Sequence, residues 1–116
     1  MGKYSLPLGA EFGGDDAVRQ FVPKSRTIID FGCYRAAQAW LLDDYKAYIG
    51  VDICDGTRFK PPNARHYVMP IQDFIPMLGW EYEDAFAICS YVPDDEAMKM
   101  VRESFNDCLV YYPTII

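Results

Sequence analysis

The chain has little of the residue most used for proton transfer in enzymes. It contains one histidine, His66, in 116 residues. That histidine falls in an apolar stretch and reads as part of a strand rather than as a general base. Without it no Ser-His-Asp set can form, and the spacing shows no Cys–His pair. The four cysteines, at 33, 54, 89 and 108, include no CxxC pair and match no zinc-ligand spacing. Three lie in or beside apolar runs, where cysteine behaves as a small hydrophobe. That usage reads as a reduced, cytoplasmic protein. No run reaches about 18 apolar residues, so no membrane span is expected. The first residues carry no long apolar core, so no signal peptide is expected. There is no lysine–arginine cluster, and the net charge is −6 with a pI near 4.6. An acidic surface of this kind is poorly made to grip a phosphate backbone, which disfavours a nucleic-acid partner. Repeats, linkers and low-complexity tracts are also lacking, so residues 1–116 read as a single domain.

What is present fills a core. Apolar residues make up 51% of the chain and aromatics 16%. Residues 1–14 are glycine-rich and read as an irregular N-terminal arm. A helix is expected after Gly13-Gly14, capped by Asp15 or Asp16, with Ala17, Val18, Phe21 and Val22 as its apolar stripe. Pro23 ends it. Strands are expected at Thr27–Phe31, Ala47–Val51, Arg65–Met69, Ala85–Cys89 and Cys108–Tyr112. A helix is expected over Ala36–Tyr45. Residues 53–65, with Gly56, Pro61 and Pro62, read as loop. A short helix is expected around Gln72–Leu78, with Pro76 against it. Pro93-Asp94-Asp95-Glu96 opens a last helix, with Ala97, Met98, Val101 and Phe105 buried. Those acids read as a helix start and not as metal ligands, so no metal is expected. Strands without polar alternation suit a sheet covered on both faces. The fold expected is therefore α/β, a three-layer doubly wound and mainly parallel sheet of about five strands.

In such a sheet the ligand crevice lies at the carboxyl ends of the strands, where the strand order reverses. The residues delivered there are Asp30 to Arg35, Asp52 to Cys54, Pro70 to Gln72 and Ser90 to Pro93. Two of these stretches share a pattern. Ile28-Ile-Asp-Phe-Gly-Cys33 is an apolar strand with a glycine turn. Tyr48-Ile-Gly-Val-Asp52 is the next strand and ends in an acid. A glycine turn with an acid at the tip of the following strand suits a nucleoside. Arg35 lies where the helix dipole favours anions, and would be placed to meet a carboxylate or phosphate. Cys33, at the start of the following helix, reads as a buried inert thiol or as one with a lowered pKa.

These stretches resemble the class I S-adenosylmethionine-dependent methyltransferase family. Ile28–Cys33 is similar to its first motif and Tyr48–Asp52 to its second. Ala64-Arg-His-Tyr-Val-Met-Pro-Ile-Gln-Asp73 resembles the third, and Asp84-Ala-Phe-Ala-Ile-Cys-Ser-Tyr-Val92 the fourth. The resemblance runs over most of the chain and implies S-adenosylmethionine as cofactor. It implies that Gly32 lets the backbone approach the cofactor, with Cys33 and Tyr34 in the same turn. Asp30 would fix that turn or meet the amino group. Asp52 would accept hydrogen bonds from the ribose. Ile53 and Ile71 would sandwich the adenine, with Gln72 at its polar edge. Ser90 and Tyr91 would lie near the reactive end.

The chain departs from the family pattern in two ways. Tyr34 stands where a small residue is usual, and its bulk can fill the space of the methionine moiety. The usual C-terminal hairpin has no counterpart, so the last strand is expected near an open edge, which invites a homodimer. The alternative reading is a catalytically inactive protein of the same fold, acting as a binding or interaction module. A nicotinamide enzyme has weaker support, because Gly32-Cys-Tyr-Arg-Ala-Ala37 keeps only the first glycine of GxGxxG.

Overall fold

A computed structural model describes residues 3–5, 14–33, 39–40, 42–55, 57, 60–79, 82–89 and 94–110. The described residues form an α/β structure around one all-parallel sheet. Its strands are β1 (Lys3–Ser5), β2 (Thr27–Phe31), β3 (Ala47–Asp52), β4 (Arg65–Val68), β5 (Phe86–Cys89) and β6 (Cys108–Val110). Their order across the sheet is β1-β6-β5-β2-β3-β4. β2 pairs with β3 on one side and β5 on the other, so the order reverses between β2 and β5.

The helices follow from sequence marks. α1 (Gly14–Phe21) ends before Pro23, and the Val22 N–H still bonds to the Val18 carbonyl at 2.8 Å. α2 (Ile71–Phe74) passes directly into a 3-10 turn, Ile75–Met77. Pro76 sits in the first positions of that turn, where its missing N–H costs nothing. The expected helix over Gln72–Leu78 is thus two short pieces. α3 (Asp95–Ser104) is capped by Asp94, whose carboxylate accepts the N–H groups of Glu96 and Ala97. Residues 39–40 are helical, but 42–44 form a turn, so the expected helix to Tyr45 stops short.

Strand pleating sends alternate side chains to opposite faces. Ile28 of β2, Tyr48 of β3 and Phe86 and Ile88 of β5 pack on one face with Val18, Val22, Ala39, Leu42 and Tyr45. Ile29, Phe31, Ile49, Val51, Ala87 and Cys89 pack on the other with Phe74, Val101 and Phe105. Both faces are covered, which is why these strands show no polar alternation.

The N-terminal arm is the main correction. Lys3–Ser5, expected to be irregular, runs parallel to β6 in the register Lys3↔Cys108, Tyr4↔Leu109 and Ser5↔Val110. The described sheet therefore has six strands, not about five. Backbone pairing holds such a strand, and three residues are too few to show a period in the sequence. The last strand, expected at an open edge, has a neighbour on each side. Among the described residues the sheet's edges are β1 and β4 instead.

On the first face a carboxylate pins α1 to the turn before β3. Asp44 accepts both Arg19 guanidinium N–H groups, at 2.8 and 3.0 Å, with Lys24 Nζ at 2.7 Å. The bonds from Arg19 and then Lys24 hold its carboxyl well below the usual carboxylate range. Asp94 is also lowered, first by the Gln72 amide and then by the Glu96 N–H. A carboxyl depressed in the folded state stabilises above its unfolded value, and that contribution is lost as pH falls through the folded one. The urea midpoint is therefore expected to hold from pH 7 to about 5 and to fall below about pH 4. Asp44→Asn should flatten this acid limb. An unchanged limb in that variant would assign the acid loss to other groups.

Candidate functional site

Among the described residues, the segments that follow β2, β3 and β4 are tied together at the carboxyl ends of those strands. Gly32 follows β2 with φ 75°, a left-handed conformation that only glycine adopts without strain. Its N–H donates to the Val51 carbonyl at 2.9 Å, so the turn is tied to β3. Asp52 is the last residue of β3 and is half-buried. Its Oδ1 accepts the Cys54 N–H at 2.8 Å, which closes an Asx turn. The Asp52 carbonyl accepts the Met69 N–H at 3.1 Å, so the end of β4 is fixed to the same point. Between Asp52 and Cys54, Ile53 is 75% exposed, an apolar side chain held in water beside a carboxylate.

The expected site residues divide between this crevice and the interior. Asp52 and Ile53 lie together at the β3 tip. Ile71 opens α2 and packs half-buried on the second core cluster. Gln72, expected at an adenine edge, gives its amide N–H to Asp94 at 2.7 Å, bridging α2 to the cap of α3. Asp30 is fully buried and its carboxylate accepts the Tyr48 hydroxyl. It has the parity of Ile28 in β2, so it points into the first face and not toward the crevice. Tyr34, Ser90 and Tyr91 lie outside the described residues, as does Arg35. Asp52 ends β3, and Asp55, Asp73 and Asp94 lie on the segments that follow β3, β4 and β5.

One contact overturns the sequence reading. Cys33 Sγ lies 3.4 Å from His66 Nδ1, although no Cys–His pair was expected. The two residues sit on separate strands' segments, with β3 between β2 and β4. Gly50 makes the meeting possible. It pairs with Asp30 on one side and His66 on the other. A Cβ at Gly50 would stand 2.7 Å from Cys33 Sγ and 3.2 Å from His66 Nδ1. The signal in the sequence was that glycine, set inside an otherwise apolar strand, where it marks a close approach. The far nitrogen of the ring, Nε2, lies 2.9 Å from the Cys54 carbonyl oxygen. A carbonyl can only accept, so Nε2 donates to it, and in the neutral ring Nδ1 then accepts from the thiol.

Cys89 and Cys108 are the contrasting pair. Both are fully buried, and the hydrogen bond with Cys108, together with burial, pushes the Cys89 thiol well up. All four cysteines are free thiols. No group of three or more metal-binding side chains occurs among the described residues, and no helix among them is long and apolar enough to cross a membrane. No protein-family model and no curated protein sequence matches the chain.

Proposed function

We propose that the chain binds S-adenosylmethionine at the carboxyl ends of β2 and β3 and acts as a small methyltransferase-like protein. The observation that carries this reading is the β3 tip. A carboxylate at Asp52 is set beside the exposed Ile53, on a turn tied to the Gly32 turn through Val51. A ribose presents a pair of hydroxyls to such a carboxylate, and an adenine presents a flat apolar face to such an isoleucine. The strand order supports the reading too. It reverses between β2 and β5, where a doubly wound sheet opens its crevice. Methyl transfer from a sulfonium needs little proton transfer, and alignment of donor and acceptor can supply much of the rate. One histidine is then no handicap.

The alternative, a methyltransferase-fold module without the reaction, is favoured by one observation. Asp30, the acid of the first motif, serves the core through Tyr48 instead of the crevice. Calorimetric titration with S-adenosylmethionine and S-adenosylhomocysteine tests both readings. Saturable binding is expected, and Asp52→Ala should weaken it by about tenfold or more, the value of hydrogen bonds to a charged group. Absence of both heat and thermal shift at millimolar ligand would remove the cofactor. Binding without methyl transfer to any tested acceptor would favour the inactive module. A homodimer is part of the proposal, and β4, an edge strand among the described residues, is the edge proposed to pair.

A further inference from the structure

We propose that Cys33 is a reactive thiol, activated by His66, and that its substrate class is a small hydroperoxide. The geometry has the three parts of an activated nucleophile: a nucleophile, a base in hydrogen-bond reach, and a group that orients the base. Cys33 Sγ is the nucleophile, and His66 Nδ1 lies 3.4 Å away. The Cys54 carbonyl, 2.9 Å from Nε2, fixes the ring and its tautomer. This inference does not rest on the cofactor reading, because none of the three parts needs a nucleoside.

Access sets the size of the reagent. Cys33 is 8% exposed, and the Gly50 backbone closes one side of the sulfur. A thiol this buried favours a small reagent, and a hydroperoxide presents only two oxygens. His66 Nδ1 takes the thiol proton. The thiolate sulfur attacks one peroxide oxygen, so an S–O bond forms as the O–O bond breaks. The departing hydroxide or alkoxide takes the proton back from His66 and leaves as water or an alcohol. Sulfur is oxidised by two electrons, the peroxide is reduced by two, and Cys33 becomes a sulfenic acid. The same ring meets the Cys54 carbonyl, and Cys54 shares its turn with Asp52, so one imidazole links Cys33 to the β3 tip.

The test treats the full chain with hydrogen peroxide, traps sulfenic acids with a 1,3-diketone, and reads each cysteine by peptide mass spectrometry. Cys54 is the internal control, being more exposed than Cys33 but without an imidazole on its sulfur in the described contacts. Cys33 is expected to be trapped faster than Cys54, with Cys89 and Cys108 unlabelled. A Cys33 rate at or below that of Cys54 overturns the proposal. His66→Ala separates activation from shielding by the sign of its effect. If the ring only covers the sulfur, its removal opens Cys33 and speeds labelling. If it takes the proton, labelling slows by about a hundredfold, the low end of general-base contributions, and added imidazole restores part of it. Faster or unchanged labelling in a folded His66→Ala chain overturns the proposal. If that variant does not fold, the comparison within the wild-type chain decides alone.

Discussion

Arg26→Ala is expected to lower the free energy of unfolding by about 3–5 kcal/mol, the cost of stripping a buried carboxylate of its counter-ion. Asp107 is 6% exposed, and its Oδ2 accepts from Arg26 Nη2 at 3.0 Å. Its other oxygen, Oδ1, is buried with no hydrogen-bond partner among the described residues. Arg26 also donates to the carbonyls of Asp84 and Ala85, at 2.5 and 3.2 Å. Its guanidinium lies 5.6 Å from the centre of the Phe86 ring. One side chain thus joins the amino ends of β2, β5 and β6, the side of the sheet away from the crevice. Lysine would keep the charge and lose the planar fork, so Arg26→Lys should fall between wild type and alanine. Removing both charges tells pairing from packing. Arg26→Met combined with Asp107→Leu should recover most of the loss, because neither partner is left stranded. Urea unfolding measures all three. A loss below about 1 kcal/mol in Arg26→Ala, the size of an exposed pair, would show that the pair is hydrated.

Phe31→Ala should cost about 3–5 kcal/mol as well, from lost transfer energy and the cavity left behind. Phe31 is fully buried at the end of β2. Its ring meets the edges of Phe74 and Phe105, at centroid distances of 5.9 and 5.6 Å and interplanar angles of 72° and 63°. Phe74 extends the cluster to Tyr67 of β4 at 5.2 Å. These rings join the sheet to α2 and to the end of α3. Pairing Phe31→Ala with Phe74→Ala should reveal a coupling of about 0.5–1.5 kcal/mol in a double-mutant cycle. Strict additivity would mean that the rings only fill space. Phe31 directly precedes Gly32, so a folded Phe31→Leu variant is the better probe of how the core holds the crevice turn.

The sequence exposed the parts of this fold that rest on continuous burial or strong local chemistry. β2 was legible because all five of its side chains are buried. The start of α3 was legible because Asp94 caps it by a short-range hydrogen bond. Gly32 was legible because the turn after a strand tip needs its φ. Other features depend on partners far apart in the chain. Cys33 and His66 meet only through strand order, across a row that Gly50 leaves open. Asp30 looked like a crevice residue from its place near the strand end, while pleat parity sends it to Tyr48. Gln72 was placed by the resemblance, and its bond to Asp94 needs the helices to be packed first. Pro76 was read as an objection to a helix, and it marks where one helical type gives way to another.

β1 carries a consequence for how the molecule is assembled. Among the described residues its strand partner is β6, and the register Lys3↔Cys108 joins residues about a hundred positions apart. On a ribosome, Lys3–Ser5 emerges long before the strand it docks on. The central strands have their neighbours much earlier. This one pairing must await closure of a loop of about a hundred residues, which is slow and entropically costly. Until then the outer edge of β6 is open to strands of other copies. Lys3–Ser5 therefore serves as a late cover for an edge that would otherwise favour aggregation.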